Sequence, residues 1–81
     1  MSEQIQNPLS FGERLVGIQF NPSNDDKVAK LKSLFAEAAN IIDEEFRGRD
    51  NSSLGSTLFD HTVGEILNAQ MNCVKLVTLK Y

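Results

Sequence analysis

The side chains in this sequence that could do chemistry are mostly cationic or amide, and few are nucleophilic. Lys32 follows Leu31 and lies one helical turn from Val28 and Phe35, inside the stretch FNPSNDDKVAKLKSLFAEAANII from Phe20 to Ile42. A lysine in that setting ordinarily runs its stem along apolar surface and lifts its ammonium into water. The functional alternative holds the ammonium at the mouth of a subunit interface, paired with a phosphate. Lys27 and Lys30 belong to a solvated face. A second constellation, His61, Glu65, Asn68, Asn72 and Lys75, recurs at 4-3-4-3 spacing and forms one polar helical stripe. Asparagine has low intrinsic helix propensity. Two asparagines in register with Lys75 suit the reading of base edges and the binding of a phosphate; the plain alternative is a solvent-facing stripe. Phe20 precedes a helix start, the place of a hydrophobic staple or of an aromatic that stacks on a nucleobase.

Catalysis finds little to work with. Cys73 falls mid-helix on an apolar seam, where a buried thiol is inert. There is no Ser/His/Asp set, no glycine-rich phosphate loop and no carboxylate cluster suited to a metal. His61 and Glu65 have the i, i+4 spacing of a metal pair but lack a third ligand. Asp43, Glu44 and Glu45 read as solvated charge. The expectation is a protein that is not an enzyme and holds no metal or cofactor.

The elements that position these groups are helical. Ser10 caps a short helix over 11–16, with Glu13 in the third position as in a capping box. Gly17 interrupts it, and Ile18 to Phe20 are expected to be extended, as is Asn21 before Pro22. Ser23 is the expected cap of a helix over 25–47, Asp25 and Asp26 favouring its positive end, with Gly48 as a left-handed C-cap. Val28, Leu31, Phe35, Ala38 and Ile42 fall on one face of it at 3-4-3-4 spacing. Residues 48–55 read as a turn. A helix over 56–79 follows, with Phe59, Val63, Ile66, Cys73 and Val77 as its seam and Gln70 where an apolar residue would be expected. The short connection favours an antiparallel hairpin. Residues 1–10 are expected to be poorly ordered alone.

This single domain of 81 residues is small for one self-sufficient core. One cysteine excludes an internal disulfide and fits a reducing compartment. Leu34 and Ile41 on the first long helix, and Leu58, Leu67, Val74 and Leu76 on the second, widen the apolar stripes beyond one hairpin seam. Burial of those flanks against other subunits is therefore expected. The net charge of −3 and pI near 4.9 argue against DNA or RNA as partner, but not against a small anion met by converging lysines. No signal-peptide core and no apolar run of the roughly 20 residues a membrane span needs is present, so a soluble protein without a membrane partner is expected.

With these residues in place, the sequence resembles small bacteriophage anti-CBASS proteins that sequester cyclic nucleotides, a group related to the anti-Thoeris sponges. The match begins at FNPS (Phe20–Ser23), continues through LKSLFAE (Leu31–Glu37), similar to an aromatic entry followed by an IKxxxAE helix, and resumes at QMNCVKLV (Gln70–Val77). It spans about two thirds of the chain at low identity. The resemblance implies an all-α protomer assembling into a compact homo-oligomer, a homohexamer, in the cytoplasm of the infected host. It implies binding without cleavage of cyclic dinucleotides such as cyclic GMP-AMP in pockets between protomers, with cyclic trinucleotides as further candidate ligands. Immune evasion then follows by mass action, since the host effector never meets enough messenger. Lys32 falls on the phosphate-pairing lysine and Lys75 on the basic residue of the second long helix. The base-stacking aromatic falls near Gly17, which has no side chain, so Phe20 or Phe11 would substitute. Leu34 stands where some relatives carry a hydroxyl. The alternative from the residues themselves is a non-enzymatic helical-hairpin module that binds another protein.

Overall fold

The computed structural model describes residues 8–47, 49 and 53–79. Three helices, α1 (Phe11–Val16), α2 (Asp26–Arg47) and α3 (Ser53–Thr78), account for its regular structure, with no strand among the described residues. The all-α expectation holds. The left-handed cap expected at Gly48 and the turn residues 50–52 lie outside the described residues, as do 1–7.

Local chemistry explains α1 from end to end. The Ser10 hydroxyl accepts from the Glu13 amide at 3.1 Å, and Glu13 Oε1 accepts from the Ser10 amide at 2.8 Å. This is the expected capping box. At the other end Gly17 takes a left-handed conformation, φ 63°. The Ile18 amide then reaches Glu13 O at 3.0 Å and the Gly17 amide Arg14 O at 3.3 Å, the paired bonds of a Schellman motif. Phe20 N donates to Gly17 O at 2.8 Å, so Gly17–Phe20 is a turn and not the expected extended segment. Once glycine reverses the chain, its carbonyl is available three residues on.

The start of α2 departs from the expected cap. Asn21 O accepts from the Asn24 amide at 2.9 Å, with Pro22 second in the turn, and Asn24 adopts φ 54°. The Ser23 hydroxyl is drawn into this turn, donating to Asn21 Oδ1 at 2.9 Å. Asp25 caps instead, its Oδ1 accepting from the Lys27 amide at 2.7 Å. Phe20 is 70% exposed, so it makes no hydrophobic staple. The start of α3 moves the other way, three residues earlier than expected. Gly55, read as turn material, lies inside the first turn of that helix.

The buried face of α2 is Val28, Lys32, Ala36 and Ala39, rotated from the stripe read in sequence. Leu31, Phe35 and Ile42 are half-buried and Ala38 is exposed. The cause is α1, which docks on the small-residue face. Gly12 sits so close to the Ala36 backbone that a Cβ there would overlap it. Its amide donates to Asn40 Oδ1 at 2.7 Å, and Asn40 Nδ2 donates to the Ser10 hydroxyl at 3.1 Å. Among the described residues, Val16, Val28, Ala36 and Ala39 form the fully buried apolar core. The seam of α3 is half-buried throughout, apart from the fully buried Gln70. Leu34, Ile41, Leu58 and Leu76 are exposed, as are Leu54 and Met71, whereas Leu67 and Val74 are half-buried. Phe59 stacks on Phe46 with ring centroids 4.5 Å apart and lies 6.1 Å from Phe11, joining all three helices.

Gly64 faces open space in mid-α3. Gly64→Ala should therefore stabilise the chain by about 0.5–1 kcal/mol through helix propensity and lost unfolded-state freedom. A thermal melt raised by a few degrees is the expected result; a lowered one would mean that something covers this face.

Candidate anion-binding groove

A groove of about 720 Å³ lies between the α1 turn, the start of α2 and the second half of α3. Arg14, Gly17 and Phe20 form one wall, Val28 and Lys32 come from α2, and Gln70, Val74 and Lys75 come from α3. Three of its lining residues are cationic and none carries a carboxylate, although the chain as a whole is acidic. Leu67, Met71 and Val74 keep the α3 wall apolar.

Lys32 is 5% exposed, so neither of the sequence readings describes it. Its ammonium donates to Val16 O at 3.1 Å, Gly17 O at 3.0 Å and Phe20 O at 2.6 Å. An ammonium has three donors, and all three are used. It does not snorkel to water, and in this geometry it has no free N–H for a phosphate. Instead it satisfies carbonyls that α1 and its following turn leave without helical partners. Burial lowers its pKa from the usual lysine value, because the charged form is the one desolvation disfavours. The Phe20 ring centroid lies 5.5 Å from Nζ, a cation–π contact on one face of an exposed ring.

The other sequence candidates divide. Phe20, Lys32 and Lys75 meet at the groove. Lys75 is exposed and makes no ion pair with a described residue. Phe11 lies elsewhere, packed toward Phe59. Asn68 lines a separate depression with Asp60, His61 and Glu65, and Asn72 lines neither. Helical spacing puts both asparagines beside Lys75, but Lys75 stands at the border between that stripe and the groove wall. His61 Nε2 and Glu65 Oε2 lie 3.3 Å apart on the exposed face of α3. Asp43 and Glu45 pair with Arg47 and Arg49 at 2.9 and 3.2 Å, which is ordinary helix-surface electrostatics. Among the described residues no cluster of His, Cys, Asp and Glu could hold a metal ion, and no helix is long and apolar enough to cross a membrane.

Two lining residues were missed in the sequence. Arg14 belongs to a helix of six residues that offered no stripe to place it on. Gln70 was visible as an anomaly in the α3 seam, and that anomaly was the available signal. No protein-family model, curated protein or solved structure matches this chain.

Proposed function

We propose that the protein is a non-catalytic sponge for cyclic dinucleotides such as cyclic GMP-AMP, acting in the cytoplasm of a phage-infected bacterium to keep the messenger from a CBASS effector. The observation that carries this reading is the groove: three cations and no carboxylate in an acidic chain, with an exposed aromatic ring at its rim. Its volume falls within the roughly 300–1,000 Å³ of small-molecule sites. Groove chemistry supports an anionic ligand with a flat face; the cyclic dinucleotide itself comes from the sequence resemblance. Arg14 and Lys75 supply free donors to phosphate, Lys32 adds positive charge from below, and Phe20 offers a stacking face. Asn68, Asn72 and Phe11 would take part only where neighbouring protomers bring a ligand to them, which also leaves room for cyclic trinucleotides.

Assembly into a homo-oligomer, a hexamer near 54 kDa (six times 9.0 kDa), belongs to the same proposal. It is supported by the small apolar core and by Leu34, Ile41, Leu58 and Leu76, which a single chain leaves exposed. An antiparallel α2/α3 hairpin fits the Phe46–Phe59 stack at one end and the shared groove lining at the other.

The deciding experiment is calorimetric titration with cyclic GMP-AMP, followed by chromatography of the nucleotide recovered after denaturation. Tight binding with intact ligand is expected; linear products would make the protein a phosphodiesterase. Lys75→Glu should weaken binding by about 10- to 100-fold, roughly 1.4–2.8 kcal/mol, with the oligomer intact. Unchanged affinity in that variant would remove Lys75 from the site. The same exposed leucines favour a second reading, a helical module docking on another protein. Sedimentation as a monomer with no heat on titration would favour it.

A further inference from the structure

Gln70 is 3% exposed, and its side-chain amide makes no hydrogen bond to any described residue. It nevertheless lines the groove. A glutamine amide brings two N–H donors and a carbonyl acceptor, and folded proteins leave few such groups buried without a partner. The surroundings offer little internal relief. Val28, Leu67, Met71 and Val74 are apolar, the Lys32 ammonium has all three donors engaged by backbone carbonyls, and neither Arg14 nor Lys75 hydrogen-bonds the glutamine. Its neighbours along the α3 seam, Ile66 and Cys73, are apolar, so packing alone would have been served by leucine or methionine. An unpartnered amide on the floor of a cationic groove is a group arranged for something that is not part of this chain.

We propose that Gln70 is the base-reading residue of the groove. Its amide presents a donor beside an acceptor, and the complement is a flat ring edge with an acceptor beside a donor. Adenine offers this through N7 and the N6 amino group, a pairing that glutamine makes in a bidentate manner. Guanine offers it through O6 and N1–H. The apolar walls bury the base faces, while the phosphates remain at the mouth with Arg14 and Lys75. This inference rests on the cyclic-dinucleotide reading. It adds that specificity toward the ring is set by Gln70, separately from the charge that attracts the phosphates.

Gln70→Met keeps an unbranched side chain of similar size and deletes the amide. Cyclic GMP-AMP should bind this variant about 10- to 100-fold more weakly. The melting temperature should be equal or higher, because no unsatisfied group remains to be buried. The oligomeric state and the salt dependence of binding should match those of the wild type, since no phosphate contact is lost. Wild-type affinity in Gln70→Met would overturn the Gln70 assignment and leave the sponge standing. Loss of affinity together with a lowered melt or a changed oligomer would also overturn it, since the amide would then be satisfied within the assembly. No binding by the wild-type protein would overturn the nucleotide reading and this inference with it. A second measurement needs no variant: the Gln70 side-chain amide resonance of the wild-type protein should shift on saturation with cyclic GMP-AMP. A resonance that stays in place under saturating ligand contradicts the assignment.

Discussion

Lys32→Met is expected to lower the melting temperature by roughly 8–32 °C, a loss of about 2–4 kcal/mol converted at 4–8 °C per kcal/mol for a domain of this size. Methionine can follow the lysine stem, so the change deletes the ammonium with little loss of volume. Three carbonyls, on Val16, Gly17 and Phe20, then lose a common donor at 3.1, 3.0 and 2.6 Å. Hydrogen bonds to a charged group contribute about 1.5–3 kcal/mol each, but they do not simply add here. Burying the ammonium already has a cost, seen in its lowered pKa, and the net figure is correspondingly smaller. It remains a large share of the about 4–12 kcal/mol that a chain of this length holds. Circular dichroism melts of the two proteins give the answer, and a difference under about 3 °C would reject the structural role. The same change should release Phe20, so reduced ligand binding in a Lys32 variant cannot be assigned to a lost phosphate contact. Lys75 is the cleaner test of the charge at the mouth.

Gly12→Ala should be nearly as damaging, although helix propensity points the other way. In an isolated helix alanine is favoured over glycine by about 1 kcal/mol. Here the added methyl would meet the Ala36 backbone, with its carbonyl carbon at 2.7 Å and Cα at 2.9 Å. Backbone in mid-helix cannot swing aside as a side chain can. The helices must part, which weakens the Gly12–Asn40 hydrogen bond and the seat of Val16. Overpacking of this kind costs about 1–3 kcal/mol, so a melt lowered by roughly 5–20 °C is expected. With Gly64→Ala raising the melt, the pair would separate space from propensity using one substitution type. A neutral Gly12→Ala would mean that α1 does not dock as described.

What the sequence disclosed was mostly local. Ser10 and Glu13 cap their own helix three residues apart, and Gly17 ends it, so α1 could be read in full. The span of α2 followed from its acidic start and its apolar period. Its buried face did not, because that face is set by a partner. Gly12 and Asn40 are 28 residues apart, and only their meeting shows why Ala36 and Ala39 are buried while Ala38 is not. Lys32 illustrates the same limit at the site. A lysine in an apolar period has a strong prior of reaching water, and its three acceptors lie 12–16 residues upstream. Ser23 lost the cap to Asp25 because a Pro22 turn intervened, a competition between two valid local signals. Gln70 was visible as a misfit in the seam, but only the groove around it gives the misfit a direction.

The Phe46–Phe59 stack turns the pair of long helices into a lever. Phe46 is the penultimate residue of α2 and Phe59 lies in the second turn of α3, so the rings pin the helices near their joined ends. Lys32 is 14 positions back along α2, about 21 Å at 1.5 Å per residue. A tilt of about 5° at the rings displaces that point by nearly 2 Å. The width of the groove is thus a magnified reading of how two phenylalanines lie on each other. Trimming either ring should alter ligand fit at the far end of the protein, with every groove residue left in place.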